Sequence, residues 1–149
     1  MKNLNIKSLF NFNKKIILIT GSSGQIGSSI AKLFLQLGSN VYGFDKSRNI
    51  IKHNNFKFIK LDITNKNIIK KKINYIIKKE NKIDIIINNA AVSVFSKYDK
   101  RTDKELDKTI DTNIKGVLNI INSYSDVHKK NKLKKCNVIN IGSIYGMLS

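Results

Sequence analysis

Thr20-Gly21-Ser22-Ser23-Gly24-Gln25-Ile26-Gly27 is the stretch that decides the fold of this 149-residue chain. The apolar run Lys15–Thr20 comes directly before it and is typical of a strand buried on both faces of a parallel sheet. Apolar residues at helical spacing follow from Gln25 to Gly38, which is a natural helix end. A glycine-rich turn between a strand and a helix lets a phosphate approach free backbone N–H groups. The turn therefore predicts a site for the pyrophosphate of a dinucleotide.

An acid at the end of the second predicted strand, Asn40–Phe44, completes this pattern. Asp45 can accept hydrogen bonds from the adenosine ribose hydroxyls and would repel a 2′-phosphate, which favours NAD over NADP. Lys46 and Arg48 follow closely and would soften that preference, so NADP stays an alternative. A plain tight turn and a surface acid is the simpler interpretation, but strand, glycines, helix, strand and acid occur in the expected order. The candidate cofactor contacts in this part of the chain are Gly21, Ser23, Gly24, Gln25, Ile26, Gly27 and Asp45.

Strands and helical stripes alternate through the rest of the chain. Further strands are predicted at Phe56–Leu61, Ile83–Ile87 and Cys136–Ile141, and a helical stripe of isoleucines runs from Ile68 to Ile77. Residues 92–101 are predicted as a loop, and 102–130 as one long helix or two abutting ones. The alternation predicts right-handed β-α-β units. We expect one α/β domain, residues 1–149, with a doubly wound parallel sheet in the order 3-2-1-4-5 and helices on both faces.

The formal net charge of +18 raises the question of nucleic-acid binding. Lys, Ile and Asn together make up nearly half of the residues, whereas Arg occurs only at Arg48 and Arg101. Base recognition relies mainly on the planar fork of Arg, and the lysines are spread along the whole chain. A compositional bias explains the charge better, and we expect no specific nucleic-acid partner.

Several other classes of protein and site are disfavoured by composition. The chain has no apolar run long enough for a membrane span, and residues 1–15 lack the features of a signal peptide, so we expect a short extension before the first strand. Cys136 is the only cysteine, which fits a reducing, cytoplasmic location. Neither His53 nor His128 has other residues near it in the sequence at the spacing of a metal site, and we predict no metal site.

Taken with further motifs, the sequence resembles the short-chain dehydrogenase/reductase family, and the likeness extends over residues 16–146. Asp62-Ile63 resembles the adenine-contacting pair of the family. Asn88-Asn89-Ala90-Ala91 resembles its Asn-Asn-Ala-Gly motif, with Ala91 in place of glycine. Asn113 matches the helix asparagine, and Ser143 the catalytic serine. The resemblance implies a Rossmann-type fold and adds Asp62, Ile63, Asn89, Ala90 and Ala91 to the cofactor contacts.

The resemblance also implies a reaction, hydride transfer between NAD(P) and an alcohol or carbonyl substrate. Ser143 would orient the substrate oxygen and Asn113 would hold a water in the proton relay, although a serine after a strand can also simply cap a turn. The catalytic Tyr-x-x-x-Lys of the family should lie beyond Ser143. We therefore expect a chain truncated after its fifth strand, the N-terminal part of a longer domain and inactive alone. Tyr42-x-x-x-Lys46 and Tyr75-x-x-x-Lys79 fit the bare pattern but lie in the wrong place, so neither is assigned as the base.

Two alternatives stay open on the sequence. Glycines at 21, 24 and 27, with Gln25 where the ordinary family form has glycine, resemble the extended subfamily of nucleotide-sugar epimerases and dehydratases. Some members linked to surface-polysaccharide or flagellin-glycan synthesis combine this spacing with the ordinary motifs, and Ser143-Ile144-Tyr145-Gly146 resembles them. A sugar or nucleotide-sugar substrate and a homo-oligomer when full length follow as expectations. The other alternative is a non-catalytic NAD-binding module.

Overall fold

A single parallel sheet organises the structure, a computed structural model that describes residues 11–94, 96–133 and 135–143. The strands are β1 Ile16–Thr20, β2 Asn40–Asp45, β3 Phe56–Lys60, β4 Ile85–Asn88 and β5 Asn137–Asn140. They lie in the order β3-β2-β1-β4-β5, and every neighbouring pair is parallel. The predicted strand order and the parallel sheet are confirmed.

Within the residues that the structure describes, four α-helices lie between the strands: α1 Gln25–Gln36, α2 Lys66–Glu80, α3 Asp103–Ile110 and α4 Val117–Asn131. Helix α1 ends at Gln36, two residues before the helix end predicted at Gly38. Gly38 has a φ of +85°, a backbone conformation in which any residue with a side chain would be strained. Helix α3 begins with a capping box between Thr102 and Glu105. A 3₁₀ turn, Tyr98–Lys100, lies within the stretch predicted as loop.

The core lies in two layers, one on each face of the sheet. On one face the strand residues Ile17, Ile19, Val41, Ile85 and Ile87 pack with Ala31 and Leu35 of α1. On the other face Leu18, Tyr42, Phe44 and Ile86 pack with Ile69, Ile73 and Ile76 of α2 and with Ile120 and Val127 of α4. Each buried aliphatic side chain stabilises the fold by roughly 1.5–3 kcal/mol relative to an exposed one. The doubly wound α/β architecture with helices on both faces is therefore as predicted.

A π-helical segment, Asp111–Gly116, joins α3 to α4 in one continuous helical path. Of the two predicted arrangements, one long helix or two abutting ones, the structure therefore has one long helix, interrupted by the π segment. A Cβ at Gly116 would come within 2.6 Å of the Ile63 side chain, so the helical path passes close to the loop after β3. Short π segments occur frequently at functional sites.

The described part of the N-terminal extension is docked onto the domain. The Phe12 ring packs edge-on against Phe34 of α1 with a centroid separation of 5.2 Å, and the Ser39 hydroxyl donates to the Phe12 carbonyl over 2.8 Å. The rest of the predicted extension, residues 1–10, lies outside the described residues. Within residues 11–94, 96–133 and 135–143, no helix has the length and apolar character that crossing a membrane requires, and no cluster of three or more His, Cys, Asp or Glu could hold a metal.

Candidate cofactor site

An open cleft of about 440 Å³ lies at the carboxyl ends of the strands. This edge is where open parallel α/β sheets bind ligands, at the point where the strand order reverses. Eleven of the twelve predicted cofactor contacts line the cleft: Gly21, Ser23, Gly24, Gln25, Ile26, Asp45, Asp62, Ile63, Asn89, Ala90 and Ala91. Gly27 is outside the lining. The sequence therefore identified residues from four separate strand ends that the fold brings together.

The three glycines of the turn have different surroundings. Gly21 has a φ of +69°, and a Cβ there would lie 2.8 Å from the Ala90 Cα. A Cβ at Gly27 would overlap the Gly21 carbonyl oxygen. Gly24, in contrast, has an ordinary extended backbone (φ −77°), and a Cβ there would meet only the Gly21 oxygen, at 3.4 Å. At Gly21 and Gly27 a side chain would clash with other parts of the protein, so the fold requires glycine there. At Gly24 the fold tolerates a side chain, and glycine instead leaves the cleft side of the turn open.

The N-terminus of α1 is open toward this cleft. Gly24 is the N-cap and provides no side-chain hydrogen bond to the first turn. Gln25 and Ile26 line the cleft, and the Ile26 side chain is 58% exposed. A helix N-terminus without a side-chain cap leaves backbone N–H groups that suit an anion such as a pyrophosphate.

Asp45 is held by two backbone N–H groups. Ser23 N–H donates to its Oδ2 over 2.9 Å, and Ser47 N–H donates to its Oδ1 over 2.8 Å. A carboxylate oxygen accepts about two hydrogen bonds, so each oxygen keeps capacity for one further donor. The carboxylate is therefore oriented at the cleft wall and can accept from two neighbouring hydroxyls.

Asn89 fastens the glycine turn to the end of β4. Its side-chain Nδ2 donates to the carbonyls of Thr20 and Gly21 over 3.0 and 3.2 Å. The backbone N–H groups of Asn89 and Ala90 both donate to the Thr20 hydroxyl over 3.0 Å. These bonds fix the backbone of two adjacent strand ends, and they place Ala91 in the cleft wall at the position where the family motif has glycine.

Asp62 and Ile63 form the wall beyond β3. The Asp62 Oδ1 accepts from the Thr64 N–H over 2.9 Å, which closes a tight turn and leaves the carboxylate exposed. Ile63 is only 6% exposed, and its carbonyl accepts from the Asn119 side chain of α4 over 3.1 Å. The pair predicted from the family resemblance thus lies in the same cleft as Asp45.

Asn113 lies on the π segment and contacts Val92 twice. Its Oδ1 accepts from the Val92 N–H over 2.8 Å, and its Nδ2 donates to the Val92 carbonyl over 3.0 Å. The amide keeps one N–H and one lone pair for another partner such as a water. Val92 lines the cleft and Asn113 does not. Asn113 therefore lies behind the cleft wall and holds the segment after β4 that forms it.

Ser143 follows β5 at the same edge of the sheet. Asn140 pairs with Asn88 in the β4–β5 register, and the Ile141 N–H donates to the Asn88 carbonyl over 2.9 Å. Ser143 is exposed and does not line the cleft. Ile144, Tyr145 and Gly146 of the predicted motif lie outside the described residues.

The tyrosines that fit the bare Tyr-x-x-x-Lys pattern lie away from the cleft. Tyr42 is fully buried in the core, where its hydroxyl donates to Glu80 Oε1 over 2.5 Å. Burial and the Glu80 carboxylate both raise the pKa of Tyr42 above its ordinary value, the opposite of what a general base needs at neutral pH. Tyr75 is 50% exposed on α2. Neither side chain lines the cleft.

The only cysteine, Cys136, is close to the buried ring of Tyr124. Burial raises the pKa of the Cys136 thiol to about 11. Burial and the neighbouring Cys136 raise the pKa of Tyr124 as well. A thiol of this kind is protonated at neutral pH and is a poor nucleophile, which fits a packing role.

The parallel sheet, the glycine turn, the acid at the end of β2 and the open cleft define a dinucleotide-binding domain of the Rossmann type. The sequence model of the family described as short chain dehydrogenase matches residues 15–149. The chain belongs to this family.

Three similar proteins show how far the likeness extends. The chain is 31% identical over 136 residues to a 3-ketodihydrosphingosine reductase of Bacteroides thetaiotaomicron, covering 90% of this chain and 49% of that protein. The structure of a short chain dehydrogenase from Leptospira borgpetersenii with bound NAD+ matches with a TM-score of 0.87 and 33% identity, covering 99% of this chain and 57% of that one. A structure of ElxO with NADP bound matches with a TM-score of 0.78 and 28% identity, over 90% and 57% of the two chains. The chain spans about half the length of the curated relatives it matches.

Proposed function

We propose that this chain binds NAD in the cleft and forms the nucleotide half of an oxidoreductase that acts on an alcohol or carbonyl substrate. The proposal rests mainly on the geometry of Asp45. Each of its carboxylate oxygens is fixed by one N–H group and keeps the capacity to accept one more hydrogen bond, as from a ribose hydroxyl. The similar Leptospira protein has NAD+ bound, which supports this assignment.

The cleft residues divide into three groups along a dinucleotide. Gln25 and Ile26 at the start of α1 would hold the pyrophosphate, because their N–H groups lie at the positive end of the helix. The Gly24 N–H already donates to the Gly21 carbonyl over 3.1 Å, so Gly24 would contribute by leaving the approach to these groups open. Asp62 and Ile63 would contact the adenine, with Asp45 on its ribose. Asn89, Ala90 and Ala91 would face the nicotinamide half.

NADP is the alternative cofactor. Lys46 lines the cleft beside Asp45, and ElxO, a similar protein, has a structure with NADP bound. The Asp45 carboxylate is fixed rather than free to turn away, and a fixed negative charge repels a 2′-phosphate. NAD is therefore the preferred cofactor in this proposal.

The chemistry assigned to this chain is limited to positioning. When bound, the nicotinamide supplies the hydride-transferring carbon. Ser143 orients the substrate oxygen, and Asn113, held by Val92, places a water for proton transfer. No described tyrosine is assigned as general base, so we expect the 149-residue chain alone to bind the cofactor without turnover. A cytoplasmic location and a homo-oligomer of the full-length protein belong to the same proposal.

A sugar or nucleotide-sugar substrate is the second candidate. Glycines at 21, 24 and 27 favour it, and Gln25 lies exposed in the cleft wall where the ordinary family form has glycine. The Asn89-Ala90-Ala91 segment favours an ordinary dehydrogenase instead. Turnover of a nucleotide-sugar without net release of NADH would distinguish an epimerase or dehydratase from a dehydrogenase.

Titration of the purified chain with NADH and NADPH, followed by the fluorescence of the reduced nicotinamide, tests the cofactor assignment. We expect tighter binding of NADH. Asp45→Ala should weaken NADH binding about tenfold or more, since hydrogen bonds to a charged group contribute about 1.5–3 kcal/mol each. Asp126→Ala, an exposed acid on α4, is the matched control and should leave both affinities unchanged. Tighter binding of NADPH than NADH by the unmodified chain would overturn the assignment of NAD.

A further inference from the structure

We infer that Ser23 is a positioning residue that sets the preference between NAD and NADP by holding the turn after β2 against the glycine turn. The inference rests on the proposed NAD site. It concerns the Ser23 hydroxyl, which the structure directs to a protein backbone atom rather than leaving it for a phosphate.

Ser23 contacts both ends of the short segment 45–48. Its backbone N–H donates to Asp45 Oδ2 over 2.9 Å, and its hydroxyl Oγ donates to the Arg48 carbonyl over 2.7 Å. Within the segment, the Ser47 N–H donates to the other Asp45 oxygen over 2.8 Å. One residue of the glycine turn therefore fixes the acid at the start of the segment and the backbone at its end.

The charges on this segment make its position matter for the cofactor. Asp45 is the only acid in it, and Lys46 and Arg48 are its two cations. Asp45 and Lys46 line the cleft, whereas Arg48 does not. A ribose with free hydroxyls needs the fixed acid, whereas a 2′-phosphate needs the acid to move away and a cation to approach. The Ser23 contacts oppose that rearrangement.

Loss of the Ser23 hydroxyl should therefore change selectivity. Without the bond to the Arg48 carbonyl, the segment can shift, the acceptor pair on Asp45 is less well fixed for NADH, and the two cations can approach a 2′-phosphate. Both effects lower the ratio of the dissociation constant for NADPH to that for NADH. A hydrogen bond of ordinary net strength corresponds to a change of about fivefold in this ratio.

The experiment compares both dissociation constants in the unmodified chain, Ser23→Ala, Ser23→Thr and Ser29→Ala. Ser29 is the matched control, because its hydroxyl donates to the Gln25 carbonyl on the exposed side of α1 and the residue does not line the cleft. We expect the ratio to fall about fivefold in Ser23→Ala, to return toward the unmodified value in Ser23→Thr, and to stay unchanged in Ser29→Ala.

The possible results separate this inference from the proposed function. If the unmodified chain prefers NADH and the ratio in Ser23→Ala stays within about twofold of it, Ser23 does not set the preference and the proposed function stands. An equal loss of affinity for both cofactors has the same meaning, since it shows a merely structural role. If the unmodified chain binds neither dinucleotide, the proposed function itself is wrong, and the inference falls with it.

Discussion

Gly27 lies so close beneath Gly21 that a Cβ on Gly27 would overlap the Gly21 carbonyl oxygen. The same added Cβ would lie 2.6 Å from the Asn89 side-chain nitrogen, which itself donates to the Gly21 carbonyl. The first turn of α1, the glycine turn and the end of β4 thus meet with no room for a side chain. We interpret Gly27 as a packing residue that supports the cofactor site from behind.

Gly27→Ala is predicted to destabilise the fold. The clash is with backbone atoms that are held by hydrogen bonds from Asn89, so the surroundings cannot yield cheaply. Overpacking of this kind costs about 1–3 kcal/mol. The free energy of unfolding, measured by urea denaturation, checks the prediction.

Gly142→Ala is the control for that experiment. A Cβ at Gly142 would meet nothing within 4 Å, and the φ of this residue is not in the left-handed region. Its effect should be within about 0.5 kcal/mol. Equal stabilities for the two variants would contradict the packing role of Gly27.

Most of the fold could be predicted because its signals are local. The apolar run Lys15–Thr20 indicates a strand buried on both faces, and that strand, β1, is the central strand of the sheet. The isoleucines of α2 repeat at helical spacing because one face of the helix is buried against the sheet. Gly38 marks the helix end through its positive φ, a property of its own backbone.

The contacts that hold the site could not be predicted in the same way. The π segment at Asp111–Gly116 leaves no distinct apolar spacing in the sequence, and the close approach of its Gly116 to Ile63 is a tertiary contact. The two bonds from Asn113 to Val92, and the bond from Ser23 to the Arg48 carbonyl, join residues through tertiary structure. Residue type alone does not reveal which backbone atom a side chain will meet.

Asp84→Ala is predicted to destabilise the amino end of the sheet, opposite the cleft. The Asp84 carboxylate accepts from the Ile16 N–H over 2.8 Å and lies 2.9 Å from the Lys82 ammonium. Burial alone would raise the pKa of Asp84, but the Ile16 N–H, Lys82 and Lys15 outweigh it and hold the pKa below its ordinary value. Loss of a hydrogen-bonded charge of this kind costs about 1–3 kcal/mol at neutral pH.

The lowered pKa of Asp84 also determines how its contribution to the stability of the fold depends on pH. Its stabilising contribution is fully present above the unfolded-state pKa of about 4 and is lost as the pH falls through the lower folded-state value. The stability difference between the unmodified chain and Asp84→Ala should therefore shrink below about pH 4. Asp126→Ala, which removes a half-exposed ion pair with Lys70, is the control and should leave the stability close to that of the unmodified chain. A difference for Asp84 that stays constant from neutral to acid pH would contradict this account.

Gly24→Val tests most directly whether the cleft is a dinucleotide site, because Gly24 has an ordinary backbone and its Cβ meets only one atom, at 3.4 Å. The variant should keep the thermal stability of the unmodified chain while its side chain fills the face that a pyrophosphate would approach. We would titrate NADH into both proteins and compare their dissociation constants. We expect saturable NADH binding by the unmodified chain and binding at least about tenfold weaker in Gly24→Val, with unchanged Tm. Absence of NADH binding by the unmodified chain, or equal affinity in a folded Gly24→Val, would contradict it.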